Sequence, residues 1–158
     1  ISEDELRRAV LRGIKRNVRD MLYIPGNIAG VKGIKYTGNK IRKWRDELGL
    51  RKAGRYLGHI VRMQEEIGTG GGGFRFLYAA FLQQAAELFD NEQLARASEE
   101  FSHAGDLWRG SAVKMAGVFK GRASEQSDFN EISELFYEIS DLEKGAFQRL
   151  SKIVKGNV

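Results

Sequence analysis

Five glycines within six residues separate two strongly helical stretches of this chain. The run Gly-Thr-Gly-Gly-Gly-Gly occupies Gly68–Gly73, and Phe74 and Arg75 follow it directly. Because glycine loses more conformational freedom on folding than any other residue, ordering this backbone costs about 1–2 kcal/mol per residue. Three explanations are open: a structural tight turn, a contact with a partner, or a phosphate or carboxylate held by free N–H groups and Arg75. The candidate binding residues are Gly68, Thr69, Gly70, Gly71, Gly72, Gly73 and Arg75.

Classical nucleotide binding does not fit this run. Gly68, Gly70 and Gly73 formally satisfy G-x-G-x-x-G, but the dinucleotide fingerprint needs a preceding strand, whereas a helical pattern precedes the run here. A P-loop needs Lys and Ser/Thr after its last glycine, and this chain has Phe74 and Arg75 instead. We therefore expect no nucleotide cofactor, and no other cofactor is indicated.

The rest of the chain predicts an all-α fold. Pro25 is the only proline, and alternating patterns of Val, Ile and Thr are nearly absent. Apolar residues recur at helical spacing, and we predict one domain over 1–158, a bundle of about six helices with a Gly-rich loop between the third and fourth. The predicted helices span about 3–22, 34–48, 51–67, 74–89, 91–119 and 128–154.

Capping residues support several of these helix ends. Ser2 and Glu5 have capping-box spacing, and Asp90-Asn91 offers an N-cap for the fifth helix. We expect Gly68 to follow the third helix as its C′ residue, and Ser127 or Asp128 to cap the sixth. The fourth helix is the most apolar, so we expect it at the centre of the bundle.

Seven glycines lie within the predicted helices, where each costs about 1 kcal/mol relative to alanine. We interpret them as points of close helix–helix contact, with a functional groove as the alternative. They are Gly13, Gly54, Gly58, Gly105, Gly110, Gly117 and Gly145.

Charge is distributed unevenly along the chain. Residues 1–62 contain sixteen Lys/Arg and six Asp/Glu, whereas the rest contains ten and fifteen. The simpler interpretation is solvated helix faces. The alternative is a basic surface for an acidic partner, which would be a neighbouring domain, a carrier protein or nucleic acid.

The amino-acid composition excludes several kinds of site and segment. The chain has no cysteine, which excludes disulfides, thiolate metal sites and a cysteine nucleophile within it and is compatible with the cytoplasm. No apolar run approaches the roughly 20 residues of a membrane span, so we expect no membrane partner. Because the chain begins at Ile1 rather than Met, we expect it to be a piece of a longer protein.

Two histidines allow acid–base and metal chemistry to be checked fully. Glu100 and His103 form one E-x-x-H pair, but a di-iron bundle needs two, and His59 has Tyr56 at that spacing. Ser102, His103 and Asp106 lie within one helical turn and cannot form a relay locally. We expect no metal site and no catalytic residue, and we interpret both histidines as surface residues.

Aromatic residues follow the glycine run, but their helical spacing is typical of core positions. Phe74, Phe76, Tyr78 and Phe81 are interpreted as core rather than as base-stacking residues, and no nucleic-acid motif accompanies them. Trp44 lies among basic residues, where it either anchors the core or faces an anion.

The motif G-T-G-G-G-G-F-R at Gly68–Arg75, followed by Tyr78 and Phe81-Leu82, resembles a known family. It is similar to the helical C-terminal domain of unknown function that lies downstream of the butirosin biosynthesis protein H type N-terminal domain. The helices of Trp44 and Trp108 fit more loosely, and the resemblance covers about residues 5–150.

The resemblance implies an indirect function. Its N-terminal partner domain resembles cysteine peptidases and acts in butirosin biosynthesis as an acyltransferase that takes an aminoacyl group from an acyl carrier protein. The nucleophile belongs to that domain, so no catalytic residue carries over to this chain. We therefore expect an accessory domain that binds a partner or substrate, with the cysteine-peptidase-like domain and an acidic acyl carrier protein as partners. The alternative is a self-contained module for an anionic small molecule or nucleic acid.

Overall fold

The computed structural model describes residues 1–67 and 71–156, and within them the chain forms six α-helices and no strand. This confirms the predicted all-α class. The helices are α1 (Glu3–Leu22), α2 (Gly30–Leu48), α3 (Leu50–Glu65), α4 (Gly71–Phe89), α5 (Glu92–Phe119) and α6 (Gln126–Lys155).

Local capping interactions explain the helix ends that the sequence predicted correctly. The Ser2 hydroxyl accepts from the Glu5 amide, and the Glu5 carboxylate accepts from the Ser2 amide at 2.8 Å, which closes the predicted capping box. The Asn91 side chain accepts from the amides of Gln93 and Leu94, as an N-cap should.

Several helices begin earlier than predicted, and α2 and α6 are two of them. Helix α2 starts at Gly30 rather than near 34, so the preceding loop is shorter than expected. Gly30 has φ +62°, and a Cβ there would lie 2.4 Å from the Met21 carbonyl oxygen. Helix α6 starts at Gln126, and the expectation that Ser127 or Asp128 caps it was wrong. Glu125 is the N-cap, and the Asp128 carboxylate accepts from its amide at 2.9 Å.

Helices α5 and α6 lie at the centre and pack against each other. Helices α1 and α2 pack on α6, while α3 and α4 pack on α5. The expectation that α4 is central was therefore wrong: its Leu77 side chain is 67% exposed and Phe74 is 48% exposed. An apolar composition does not by itself bury a helix: α4 packs mainly on α5, and part of its surface stays exposed.

Buried side chains form two clusters along the α5–α6 pair. The first cluster joins α1 and α4 to the start of α5 and the end of α6, with Leu82, Phe101 and Leu150 in its interior. The second joins α2 and α3 to the end of α5 and the start of α6, with Ile41 and Leu57 in its interior.

Close packing explains only two of the seven helical glycines. A Cβ at Gly58 would meet the Phe119 ring at 2.5 Å, and one at Gly105 would meet the Phe76 ring at 2.8 Å. Gly54 and Gly145 have ordinary contacts. A Cβ at the other three would meet nothing within 4 Å, so close packing does not explain Gly13, Gly110 and Gly117.

No helix in the described ranges combines the length and the apolar composition that crossing a bilayer requires.

Candidate functional site

The second half of the glycine run is helical. Gly71, Gly72 and Gly73 form the first turn of α4, so the predicted loop is shorter at this end, while Gly68, Thr69 and Gly70 lie outside the described residues. A Cβ on Gly72 would lie 3.0 Å from Arg109 Cγ and 3.1 Å from the Gly105 carbonyl oxygen. At this position, the backbones of α4 and α5 approach too closely for a larger residue to fit without displacement.

One turn further along α4, Arg75 reaches α6. Its Nε lies 3.1 Å from both carboxylate oxygens of Glu143, and its Nη2 donates to Oε1 at 2.8 Å. The Arg75 side chain is 23% exposed, whereas that of Glu143 is fully buried. This charge-assisted pair joins two helices through side chains that are 68 residues apart in sequence.

Trp108 of α5 completes the cluster. Its Nε1 donates to Glu143 Oε2 at 2.8 Å, and the Arg75 guanidinium carbon lies 5.4 Å from the centre of its ring. A buried carboxylate is costly unless it is paired and hydrogen-bonded, and these donors supply both. The cluster of Arg75, Trp108 and Glu143, which we call the ionic cluster, ties α4, α5 and α6 together.

The ionic cluster bears on the predicted binding role of Arg75. Two of the guanidinium nitrogens already bond to Glu143, and the carboxylate balances the positive charge. Any anion that binds at the start of α4 would therefore meet a partly neutralised arginine. The binding role of Arg75 and of the glycine run stays a prediction.

A pocket of about 290 Å³ opens beside the ionic cluster, between α1, α4, α5 and α6. Its walls are mostly apolar and aromatic, and a few polar groups stand among them. The lining residues are Asn17, Asp20, Met21, Phe74, Arg75, Tyr78, Phe101 and Phe147. Pockets of this composition are typical of small-molecule sites, and this one lies at the small end of their size range.

Tyr78 is the unusual polar group in this pocket. Its hydroxyl is buried and makes no hydrogen bond of normal geometry to the described residues. Burial raises the pKa of Tyr78 to about 12, and the adjacent side chain of Asn17 acts in the opposite direction. The group therefore stays a neutral phenol at neutral pH.

Both histidines lie on the surface, as predicted. His59 and His103 are exposed, and Glu100, which has E-x-x-H spacing with His103, bonds to Arg149 of α6. Within the two described ranges, no group of three or more metal-ligating side chains comes together.

Ten exposed Lys and Arg side chains of α1–α3 make no ion pair with any described residue. We call them the basic set: Arg8, Arg12, Lys15, Lys32, Lys35, Lys40, Lys43, Arg51, Lys52 and Arg55. Trp44 does not join them as an anion-facing ring, because it packs against the second core cluster and meets the Tyr56 ring edge-on at 5.5 Å.

Sequence reasoning missed Glu143, although a signal was present. Glu143 lies on the apolar stripe of α6, seven residues after Phe136 and three before Ala146. A carboxylate at such a position faces the core and needs a buried cation or donors. The identity of its partners depends on how α4 and α5 pack, which no local pattern contains.

No curated protein and no solved structure matches this chain. A family model described as a domain of unknown function, DUF4872, matches residues 1–150, and the chain therefore belongs to the DUF4872 family.

Proposed function

We propose that this domain is a non-catalytic accessory domain that binds an acidic protein partner through the basic set. The resemblance of the glycine motif supports placing it in a butirosin biosynthesis protein H-like protein, where an acyl carrier protein would be that partner. The observation that carries the proposal is the basic set itself: ten exposed cations that form no ion pair with the described residues.

The basic residues occupy limited arcs of three helices. At about 100° per residue, the basic residues span arcs of roughly 60° on α1, 140° on α2 and 100° on α3. Helix α2 contacts both α1 and α3, so the three arcs belong to neighbouring helices. Such an arrangement raises the local positive potential and speeds the encounter with an acidic surface.

The start of α4 offers a second contact in the same proposal. Ile67, Phe74 and Leu77 are exposed apolar residues on either side of the glycine run. We propose that the segment Gly68–Arg75 contacts the cysteine-peptidase-like domain or its acyl substrate. Adding that domain in trans should slow amide hydrogen exchange within residues 68–75, and unchanged exchange there would contradict this contact.

Charge reversal tests the role of the basic set. The variant Lys32→Glu/Lys35→Glu should weaken binding of an acidic acyl carrier protein by about tenfold or more, mostly through a slower association rate. The matched control is Arg96→Glu/Lys152→Glu, which makes the same charge change at exposed positions of α5 and α6. Stopped-flow or surface plasmon resonance at low salt measures both rates.

Other outcomes of the charge-reversal experiment would contradict the proposal. Equal losses in both variants would show only a net-charge effect and would contradict a defined docking surface. If the domain instead binds nucleic acid, the affinity should fall steeply with salt, with a log–log slope near −0.9 per phosphate contacted on duplex DNA. A carrier protein that does not bind at low salt would overturn the proposal.

A further inference from the structure

We infer that a cavity between the end of α1, the start of α2 and the middle of α6 binds a small phosphate monoester, whose phosphate is held by Lys32, Lys35 and Lys144. The inference goes beyond the proposed protein partner. The cavity shares Lys32 and Lys35 with the basic set, but Lys144 belongs to α6, and the ligand is a small molecule that needs no partner protein.

The charge of this cavity is the first reason. Lys32 and Lys35 line it from α2 and Lys144 from α6, and among the described residues Asp141 is the one acidic side chain that lines it. None of these four side chains makes an ion pair with a described residue. The described lining therefore has a formal balance of +2. A cleft lined mainly by one sign of charge concentrates the field, so it should attract an anion.

Contacts between the helices hold the walls of the cavity in place. The Ser140 hydroxyl of α6 donates to the Val31 carbonyl of α2 at 2.7 Å. On the other side, the Met21 carbonyl of α1 lies so close to Gly30 that it leaves no room for a Cβ there. The lysines of α2 and α6 therefore stay beside one cavity, and a ligand need not reorder the backbone in order to bind.

Charge, size and apolar lining together specify the class of ligand. A phosphate monoester carries about −1.5 to −2 near pH 7 and has three strong acceptor oxygens, so it matches the charge of the lining and offers one oxygen to each ammonium group. A carboxylate has a single charge and two oxygens. Leu22 and Tyr23 line the same cavity and offer apolar surface to the carbon atoms beside the phosphate.

The size of the cavity limits the ester. Its volume of about 200 Å³ lies below the range of about 300–1,000 Å³ that is typical of sites for drug-sized molecules. We therefore expect the ligand to have only a few carbon atoms within the cavity.

Three soluble probes test this class. n-Butyl phosphate is the monoester, diethyl phosphate has the same number of carbon atoms but one negative charge, and inorganic phosphate has no carbon. At about pH 7.5, butyl phosphate should bind about threefold or more tightly than either of the others. In ¹H–¹⁵N NMR titrations it should shift the amide signals of Lys32, Lys35 and Lys144. The signals of Lys43 and Lys152, which lie elsewhere on α2 and α6, should stay in place.

Each probe has an outcome that contradicts part of the inference. No shift at the three lining lysines with up to about 10 mM butyl phosphate would overturn the site. Equal affinity for diethyl phosphate would overturn the assignment of a monoester. Equal affinity for inorganic phosphate would overturn the role of Leu22 and Tyr23.

Glutamine variants test the lysine side chains. Lys35→Gln/Lys144→Gln should lower the affinity for butyl phosphate about tenfold or more, whereas Lys43→Gln/Lys152→Gln should leave it within about twofold. The control removes one charge from each of the same two helices, outside the cavity, and all four lysines are exposed, so both variants should keep the fold. Equal losses in the two variants would show only a net-charge effect and would overturn the site. A carrier protein takes no part in these measurements, so failure of this site and failure of the proposed function are observed separately.

Discussion

At the scale of single residues, the ionic cluster holds a buried carboxylate that needs its donors. Glu143 is fully buried and receives donors from Arg75 and Trp108 within 3.1 Å. A buried pair of this kind adds little net stability compared with apolar residues, but loss of one partner leaves an uncompensated group. The cluster therefore specifies how α4 sits on α5 and α6 more than it strengthens the fold.

A double-mutant cycle should reveal this coupling. Glu143→Leu and Arg75→Met should each lower the free energy of unfolding by about 2–4 kcal/mol, because each leaves a buried partner unpaired. The double variant should lose clearly less than the sum of the two. Urea denaturation followed by circular dichroism measures all four proteins.

The exposed pair Lys114–Glu131 provides the control cycle, since both side chains are about half exposed. Its coupling should stay below about 1 kcal/mol. Equal coupling energies in the two cycles would contradict a special role for the ionic cluster.

Tyr78 should give the stability a distinct dependence on alkaline pH. Its pKa is about 12 in the folded chain and about 10 when unfolded, so the folded state holds the phenol proton more tightly. Stability from this group is complete below pH 10 and falls between pH 10 and 12, by about 2–3 kcal/mol in total. Tyr78→Phe should lose less stability than wild type between pH 9.5 and 11.5 in urea titrations, and parallel losses would contradict the shift.

At the scale of helices, glycine has opposite effects on the stability of the fold at different positions. Gly38 of α2 packs against α6, where a Cβ would lie 2.9 Å from Tyr137 Cε1 and 3.0 Å from Phe136 Cβ. The Gly38 carbonyl also accepts from the Ser133 hydroxyl at 2.7 Å. Helices α2 and α6 are thus held at a distance that only a residue without a side chain permits.

Alanine substitutions should separate these effects. Gly38→Ala should destabilise the fold by about 1–2 kcal/mol, because the Phe136 Cβ is close to the backbone and cannot move aside. Gly110→Ala, at an exposed position of α5 where a Cβ would meet nothing within 4 Å, should stabilise it by up to about 1 kcal/mol. Thermal unfolding measures the change in stability of each variant relative to wild type. Two changes of the same sign would contradict the packing argument.

At the scale of the whole molecule, α5 and α6 run through both core clusters and connect them. Tyr78, Phe101 and Phe147 belong to the first cluster, whereas Trp108 packs against the second. The ionic cluster lies where the two meet, because Trp108 and Arg75 of α4 both donate to Glu143. We therefore expect the domain to unfold as one cooperative unit.

Tryptophan fluorescence can test this expectation, since Trp44 and Trp108 both pack against the second cluster. Leu82→Ala removes a fully buried side chain from the first cluster and should cost about 2–5 kcal/mol. Its unfolding midpoint in urea should shift equally by fluorescence and by circular dichroism. A fluorescence midpoint that stays at the wild-type value would show two independently unfolding halves.

The number of helices and most of their ends were predictable, because caps and apolar spacing act within a few residues. Ser2 with Glu5 and the Asn91 cap are examples. The start of α2 was not, since the Met21 carbonyl of a different helix leaves no room for a Cβ at Gly30. Of the ionic cluster, only Arg75 was singled out, as a binding residue beside the glycine run, and its partners Glu143 and Trp108 were not recognised.

The sequence by itself determined an all-α chain of six helices, since periodicity and capping are local. Only the tertiary structure decided that α4 lies at the periphery, that three glycines of the run begin a helix, and that Arg75 points inward to Glu143. These outcomes depend on distances between helices far apart in sequence. Packing energies between such helices are summed over many side chains, and no short segment of the chain contains that sum.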